Sequence, residues 1–411
     1  MKLKEFTISA NTGLDAIKRA PIVEEDTGLK CIRIQDISQG KDFDDWGNTL
    51  TTDRDFHKFR LKIGDLLVAR TGATVGVSFL VKENYNAVFN NGSIRLRFNN
   101  KIDTAFVYYI FKSKEFLQYI ENVSCVATQP NLRVENLLRF NIPDFSISIQ
   151  QKIASALSAY DNLIENNNKR IRLLEQMAEN LYKEWFVRFR FPGHEKAEFE
   201  NGLPKGWKVE TMSNLLVMHC NGGWGEEMGS DKYCTAAHVI RGTDIEDIKT
   251  SQFTNIPLRY HKENDLFNKH LEIDDIILEL SNGNINNIGR TLIVDDLLLS
   301  KCKTPICASF CKLLRFDNSL IAIYVYYILN YMQKKGLLNY YKNCGTNGIN
   351  NFNFKRFLKM KVIIPNDMSL ITILKEYQKQ MMLLRNQTYI LSRQRDLLLP
   401  RLMSGKLEVK V

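Results

Sequence analysis

The stretch from Ile149 to Phe186 carries apolar residues at alternating steps of four and three: Ile153, Leu157, Tyr160, Ile164, Asn167, Ile171, Leu174, Ala178, Leu181 and Trp185, of which only Asn167 is polar. A seam with a 3.5-residue repeat requires a coiled-coil partner, because a straight helix of 3.6 residues per turn drifts off its own stripe. The partner is in the same chain. Near the C-terminus the same stepping picks out Leu370, Leu374, Tyr377, Met381, Leu384, Thr388, Leu391, Arg395, Leu398 and Leu402, each 217 residues beyond its counterpart, as Leu370 follows Ile153. A lone Asn in an apolar seam fixes register at some cost in stability. Thr388 and Arg395 weaken the second stripe, and Pro400 is expected to end or kink its last turn.

The segments between the helices repeat as well. IRIQDI at Ile32 returns as IRGTDI at Ile240, LKIGDLLVAR at Leu61 as LEIDDIILEL at Leu271, VYYI at Val107 at Val325, and RFNIP ending at Pro143 as LKMKVIIP ending at Pro365. Matches in the same order at slightly different offsets mark homologous domains that differ in their loops, so internal repetition decides the architecture. CIRIQDIS, LKIGDLLVARTGATVGVSFLV and GSIRLRFNN read as strands and turns, and AFVYYIFKSKEFLQYIENV has helical spacing. FVRFRFPGHEKAEFENGLPKGWKVE reads as a polar linker at a domain boundary.

The expected fold is therefore α+β, with two similar mixed α/β domains and two long helices in an antiparallel coiled coil, giving pseudo-twofold symmetry. The expected segments are a first globular domain over 1–146, a helical region over 147–192, a second domain over 193–366 and a second helical region over 367–411. A stripe of about 33 residues makes a rod of about 50 Å, comparable to one to one and a half turns of duplex DNA at ~34 Å per turn. Such a rod suits a ruler. The loops differ between copies, ARTGATVG facing LSNGNINNIG and TQPNLRVEN facing TNGINNFNF, which predicts two different targets and an asymmetric bipartite site.

A net charge of +10 favours a polyanionic partner without establishing one. The eight cysteines form no CxxC pair, the N-terminal residues hold no apolar signal core, and no run approaches 18 apolar residues. These features read as a reduced, cytoplasmic protein without a membrane span.

Nothing in the chain reads as catalytic. An amino-methyltransferase needs an Asp/Asn/Ser-Pro-Pro-aromatic loop, and the chain contains no Pro-Pro dipeptide. A motor needs a phosphate-cradling loop ending Gly-Lys-Ser/Thr, and neither GKS nor GKT occurs. Cys302, Cys307 and Cys311, with His219, Cys220, Cys234 and His238 upstream, match no common zinc spacing, so no metal is expected and strand packing is the reading of the cysteines.

Base readout needs forked donors and acceptors, mainly Arg or Lys to guanine and Asn or Gln to adenine. In the first domain such residues are Arg33, Gln35, Arg70, Thr71, Thr74, Thr128, Gln129, Asn131 and Arg133. In the second they are Arg241, Thr243, Asn282, Asn284, Asn286, Arg290, Thr346, Asn347 and Asn350, with Trp224 in NGGWG an aromatic suited to contact or to capping its own domain. Arg70 and the loop from Asn282 to Arg290 are the sharpest candidates, while Thr128-Gln129 and Thr346-Asn347 occupy equivalent places that also suit a scaffold.

At the level of whole segments the sequence resembles the DNA-specificity subunits of Type I restriction-modification systems. The resemblance rests on QQKIASALSAYDNLIENNNKRIRLLEQMAENLYKEWF after the first domain, LPKGWKVETMSNL opening the second and RDLLLPRLMSGKL near the end; the first domain, beginning MKLKEFTISANTG, departs by lacking the LPxGW opening. It implies two target-recognition domains that each read half of a split double-stranded DNA site, with helices that set the spacer. It also implies helices that hold two methyltransferase subunits carrying S-adenosylmethionine, with motor and nuclease subunits joining later. A stand-alone methyltransferase or nuclease with degenerate motifs, and a coiled-coil protein adaptor, are the alternatives.

Overall fold

The computed structural model describes residues 1–124, 131–343 and 350–407. The chain divides into two compact units, one of Met1–Asn162 with Leu391–Val411 and one of Leu163–Ile390. Each long helix therefore contributes to both units.

In the first unit a four-stranded antiparallel sheet runs Thr7–Thr12, Ser93–Phe98, Leu66–Ala69, Ser78–Leu80 from edge to edge. Of its strands Leu66–Ala69 is buried throughout and Ser93–Phe98 over its first four residues, so the inner pair has a core on each face, while the two edge strands are mostly half-buried. Leu66, Val68, Ile94 and Leu96 join a core with Phe106, Ile110, Phe116 and Leu137, whereas Leu67 faces a second core with Ile32, Phe59 and Phe89. The second core lies against a mixed sheet in which Lys30–Ile32 pairs with Gly47–Thr49 and, in parallel, with Ala87–Phe89.

The second unit repeats this plan. Its main sheet runs Leu216–Asn221, Cys311–Phe316, Ile276–Glu279, Thr291–Ile293 in the same order and senses. Thr235–Ile240 pairs with Leu258–His261 and, in parallel, with Ile306–Cys307. Ile276, Leu278 and Leu314 face one core and Ile277 and Leu313 the other. The repeat predicted from the sequence is thus a repeat of topology.

The motifs that revealed the repeat are structural. Asp65 accepts from Lys62 N at 3.0 Å and binds Arg97 Nη2 at 2.9 Å; Asp275 accepts from Glu272 N at 2.6 Å and binds Arg315 Nε at 2.8 Å. The turn before each acid has a left-handed residue, Gly64 at φ 84° and Asp274 at φ 68°. Gly13 and Gly222 also correspond. A Cβ on either would lie 2.3 Å from Phe89 O or 2.0 Å from Cys307 O, so close strand approach requires glycine in both copies.

The long helices span Ile147–Tyr182 and Ser369–Met403, the first ending in a π-helical turn over Lys183–Val187. In the first unit Ile153 and Leu157 share a core with Leu398 and Leu402, late in the second helix. In the second unit Ala178 and Tyr182 share one with Leu370 and Leu374, at its start. That order is antiparallel. Every predicted seam position is buried or half-buried, including Asn167 and Thr388 at 7% and 6% exposure. Arg395 stays in the seam because its Nη1 binds Asp161 Oδ1 at 2.6 Å, and Asp161 also accepts from the Tyr109 hydroxyl at 2.8 Å.

Four expectations change. CIRIQDIS is not one strand: Lys30–Ile32 is extended and Ile34–Ser38 is a helical turn, because Asp36 accepts from Arg33 N at 3.0 Å and closes it. AFVYYIFKSKEFLQYIENV forms two helices, Thr104–Ile110 and Lys114–Ser124, divided where the Ser113 hydroxyl accepts from Phe116 N at 3.2 Å. Pro400 does not end its helix, which runs on to Met403. The segment around LPKGWKVE is no free linker: Lys208–Thr211 pairs with Lys361–Ile364, and Trp207 is packed by Phe186, Phe189 and Phe191.

Candidate nucleic-acid interface

In each domain the predicted readers among the described residues fall on three loops brought together at one end of the main sheet. The first loop follows the strand that carries the IRxxD motif. Arg33 Nε donates to Asp36 Oδ2 at 2.9 Å, and Arg241 Nη2 donates to Asp244 Oδ1 at 2.6 Å and to Asn255 O at 2.9 Å. Hydrogen bonding to Asp244 holds the Arg241 guanidinium more firmly charged than usual. Both arginines spend a face of the guanidinium on their own turn. Gln35 and Thr243, at matching places two residues on, are exposed.

The second loop joins an inner strand of the main sheet to its edge strand, Leu66–Ala69 to Ser78–Leu80 in the first domain and Ile276–Glu279 to Thr291–Ile293 in the second. In the first domain it is short, Arg70 to Gly76, and holds Thr71 and Thr74 half-buried. Arg70 O accepts from Leu132 N at 2.7 Å, Thr71 pairs with Asn131, and Arg70 Nη2 donates to Asn131 Oδ1 at 3.1 Å. Arg133 is exposed just beyond. In the second domain Leu280 O accepts from Phe352 N at 2.8 Å, and Ser281 and Asn282 pair with Asn351 and Asn350. The third loop thus docks on the second in both copies. Thr128, Gln129, Thr346 and Asn347 lie outside the described residues.

The Asn282 to Arg290 loop is largely self-satisfied. Asn282 Nδ2 donates to Glu279 Oε1 at 2.7 Å while its Oδ1 accepts from Asn284 N at 2.8 Å; Asn284 Oδ1 in turn accepts from Asn286 N at 3.0 Å. Asn350 Nδ2 reaches Gly283 O at 3.4 Å. Arg290 is a clasp: its Nε donates to Glu279 Oε2 at 2.8 Å and its Nη2 to Gly242 O at 2.9 Å. Its guanidinium therefore holds a buried carboxylate and the neighbouring turn. Domain 1 has Ala69 and Val77 at the same two places, matched by the bonds from Ala69 N to Val77 O and from Glu279 N to Arg290 O.

Around Glu279 the second domain opens a cleft of about 610 Å³, which Arg241, Thr243, Asn282, Trp224 and Phe310 help to line. Gly242 makes room for the Glu279 carboxylate, since a Cβ there would lie 2.0 Å from Glu279 Oε1. Domain 1 has Ile34 at that place, packed so closely on Gly92 that a Cβ on the glycine would lie 2.6 Å from Ile34 Cδ1. Trp224 is 39% exposed, with the Arg259 guanidinium 4.5 Å from its ring centre. The loops missed in the sequence are Asn90–Gly92 and Ala308–Phe310, where Phe310 is 62% exposed at the cleft; an NNG turn and an ASF turn carry no shared signature.

Cys302, Cys307 and Cys311 are buried among apolar side chains, and burial pushes the Cys302 thiol up to about 11 and Cys307 to about 12. No group of metal-ligating side chains occurs among the described residues, and no helix among them is long and apolar enough to cross a membrane.

Comparison with known proteins agrees with this anatomy. A family model described as the Type I restriction modification DNA specificity domain matches residues 22–176. The Type I restriction enzyme MjaIX specificity subunit of Methanocaldococcus jannaschii is 33% identical over 159 residues, 36% of this chain and 36% of that one. The HindI specificity subunit of Haemophilus influenzae is 28% identical over 154 residues, 35% of this chain and 32% of its own. These matches span about a third of the relatives' length. The crystal structure of a Type I restriction-modification S subunit from M. genitalium matches 98% of this chain and 95% of that one, with TM-score 0.59 and 18% identity. Residues 22–176 are thus similar to the Type I restriction modification DNA specificity domain, and over its length the chain shares the fold of the M. genitalium S subunit.

Proposed function

We propose that the chain is the DNA-specificity subunit of a Type I restriction-modification complex, with each domain reading one half of an asymmetric bipartite site in double-stranded DNA. The observation that carries this reading is one scaffold built twice with unlike side chains at matching loop positions: Ala69 and Val77 facing Glu279 and Arg290, Ile34 facing Gly242. A repeated scaffold with different loops has two targets.

In this reading the paired helices set the spacer and hold two methyltransferase subunits, on which S-adenosylmethionine is bound, with motor and nuclease subunits joining the full complex. The specificity chain itself contributes recognition and no catalytic group. Apolar residues on the helices favour a protein partner: Leu173 and Ile390, which are related by the helix repeat, are 57% and 46% exposed, and Leu397 is 59% exposed.

The test is methylation-site mapping in cells that lack other methyltransferases and co-express this chain with its methyltransferase partner. A split motif of two unlike halves with a fixed gap, modified on both strands, is the expected result. A continuous motif would mean that one domain does not read DNA. Absence of modification, together with DNA binding that ignores salt, would favour a protein adaptor, since phosphate contacts make affinity fall steeply with salt.

A further inference from the structure

We infer that the three-residue loops Asn90–Gly92 and Ala308–Phe310 are specificity-determining segments, the first presenting the Asn91 amide to an adenine and the second presenting Phe310 to the 5-methyl group of a thymine. The inference rests on the DNA-recognition reading above and names the residues and bases at that site.

Each loop is tied at both ends by the same four hydrogen bonds. Leu14 N donates to Phe89 O at 2.9 Å, and Gly223 N to Cys307 O at 2.9 Å. Asn90 N donates to Ile32 O at 3.2 Å, and Ala308 N to Ile240 O at 2.8 Å. Ser93 N and Cys311 N close the turn on Asn90 O and Ala308 O at 3.1 and 2.8 Å, and Arg70 N and Leu280 N reach Gly92 O and Phe310 O at 2.9 and 2.8 Å. A segment held this way presents its side chains at fixed positions, which is what base readout demands. The backbone is repeated while all three side chains differ.

What the side chains offer also differs in kind. Asn91 is exposed and its amide makes no side-chain hydrogen bond among the described residues. A free carboxamide is the group that pairs bidentately with adenine N6 and N7. Gly92 beside it is kept small by Ile34, which leaves the approach to Asn91 low. Ala308, Ser309 and Phe310 offer no fork. Phe310 stands 62% exposed at the cleft around Glu279, with Trp224 lining the same cleft. An exposed aromatic costs solubility unless something covers it, and the thymine methyl is the one apolar feature of the major-groove floor. Arg33, Arg241, Asn282 and Arg290, which the residue types alone suggested, are engaged with their own domains.

The experiment uses the full chain with its methyltransferase partner and maps the methylated motif for the wild type, Phe310→Gly, Phe310→Leu and Asn91→Ala. Phe310→Gly is expected to relax one thymine position in one half-site by tenfold or more and to leave the other half unchanged. Phe310→Leu, which keeps an apolar surface, should retain most of the preference, and Asn91→Ala should relax one adenine position in the opposite half. With the wild-type complex, a duplex carrying deoxyuridine at the thymine position should bind about tenfold more weakly; this arm stands even where a variant folds poorly. A split wild-type motif that none of the substitutions alters, or a loss spread evenly over all sequences, would overturn the loop assignment alone. A wild-type motif that is not split would instead overturn the two-reader function.

Discussion

Arg70 and Arg290 look alike in the sequence, each an arginine beside a glycine-containing turn after an apolar strand, and their surroundings separate them. Arg290 neutralises Glu279, which is 2% exposed, so Arg290→Ala leaves a buried carboxylate without its charge partner and is expected to cost about 3–5 kcal/mol of stability. Calorimetric melting measures this, and the double change Glu279→Ala with Arg290→Val, the pair found at the matching places in the first domain, should recover most of the loss. Arg70 spends only one nitrogen on Asn131, so Arg70→Ala should instead cost about 1–3 kcal/mol of binding and relax one base position with little change in melting; a uniform loss over all sequences would make Arg70 a phosphate contact. His261 shows a third kind of commitment. It is 4% exposed, and burial, helped by nearby Lys269, holds its pKa below the usual histidine value. The unfolded chain then binds a proton in the range between the depressed and the ordinary value, so the second unit should lose stability as pH falls through about 6.5 and gain nothing above it. Melting between pH 5 and 8 checks this, and His261→Gln should flatten the slope. Residue type alone gave the candidates; which were already bound by their own domain depends on contacts such as Arg241 to Asn255, fourteen residues apart.

Elements were legible where a period was long. The two helices follow from a seam repeated over about 33 residues, and the structure keeps every seam position inside or half inside. Short elements were decided by single hydrogen bonds: Asp36 turns a β-like run into a helical turn, and Ser113 splits one helical pattern into two. Pro400 lies inside its helix only three residues before the end at Met403, so the backbone bond that its missing N–H forgoes falls in the last turn, where little helix remains to be disrupted. The seam itself makes a clear comparison. Leu157 is fully buried and Leu163, six residues on, is 54% exposed. Leu157→Ala is expected to cost about 2–5 kcal/mol through lost transfer energy and the cavity left behind, whereas Leu163→Ala should stay within about 0.5 kcal/mol in the isolated chain. Chemical denaturation of both variants measures the difference. A large cost for Leu163→Ala only when the methyltransferase is present would place that residue in the partner interface.

At the scale of the whole chain, the repeat that the sequence displayed as domain, helix, domain, helix does not divide the molecule in that order. The second unit is a continuous stretch, Leu163–Ile390, but the first is completed by residues from the far end of the chain. Leu402 and Met403 are 4% and 9% exposed in the core formed by Leu3, Phe106 and Leu157, and Arg395 binds Asp161 there. Sequence periodicity shows that two helices pair; it does not show that pairing them antiparallel closes the first domain with the last helix. The consequence is specific. Ending the chain at Ile390 removes Leu398, Leu402 and Met403 from the first unit's core while every residue of the second unit is retained. Each buried leucine is worth about 2–5 kcal/mol, so their joint loss rivals the 5–15 kcal/mol by which a domain is ordinarily stable. Hydrogen exchange read by mass spectrometry should then show strands Leu66–Ala69 and Ser93–Phe98 losing protection while their counterparts Ile276–Glu279 and Cys311–Phe316 keep theirs. Equal loss in both units would mean that they fold as one cooperative body, and no loss in either would mean that the terminal helix is dispensable to the first domain.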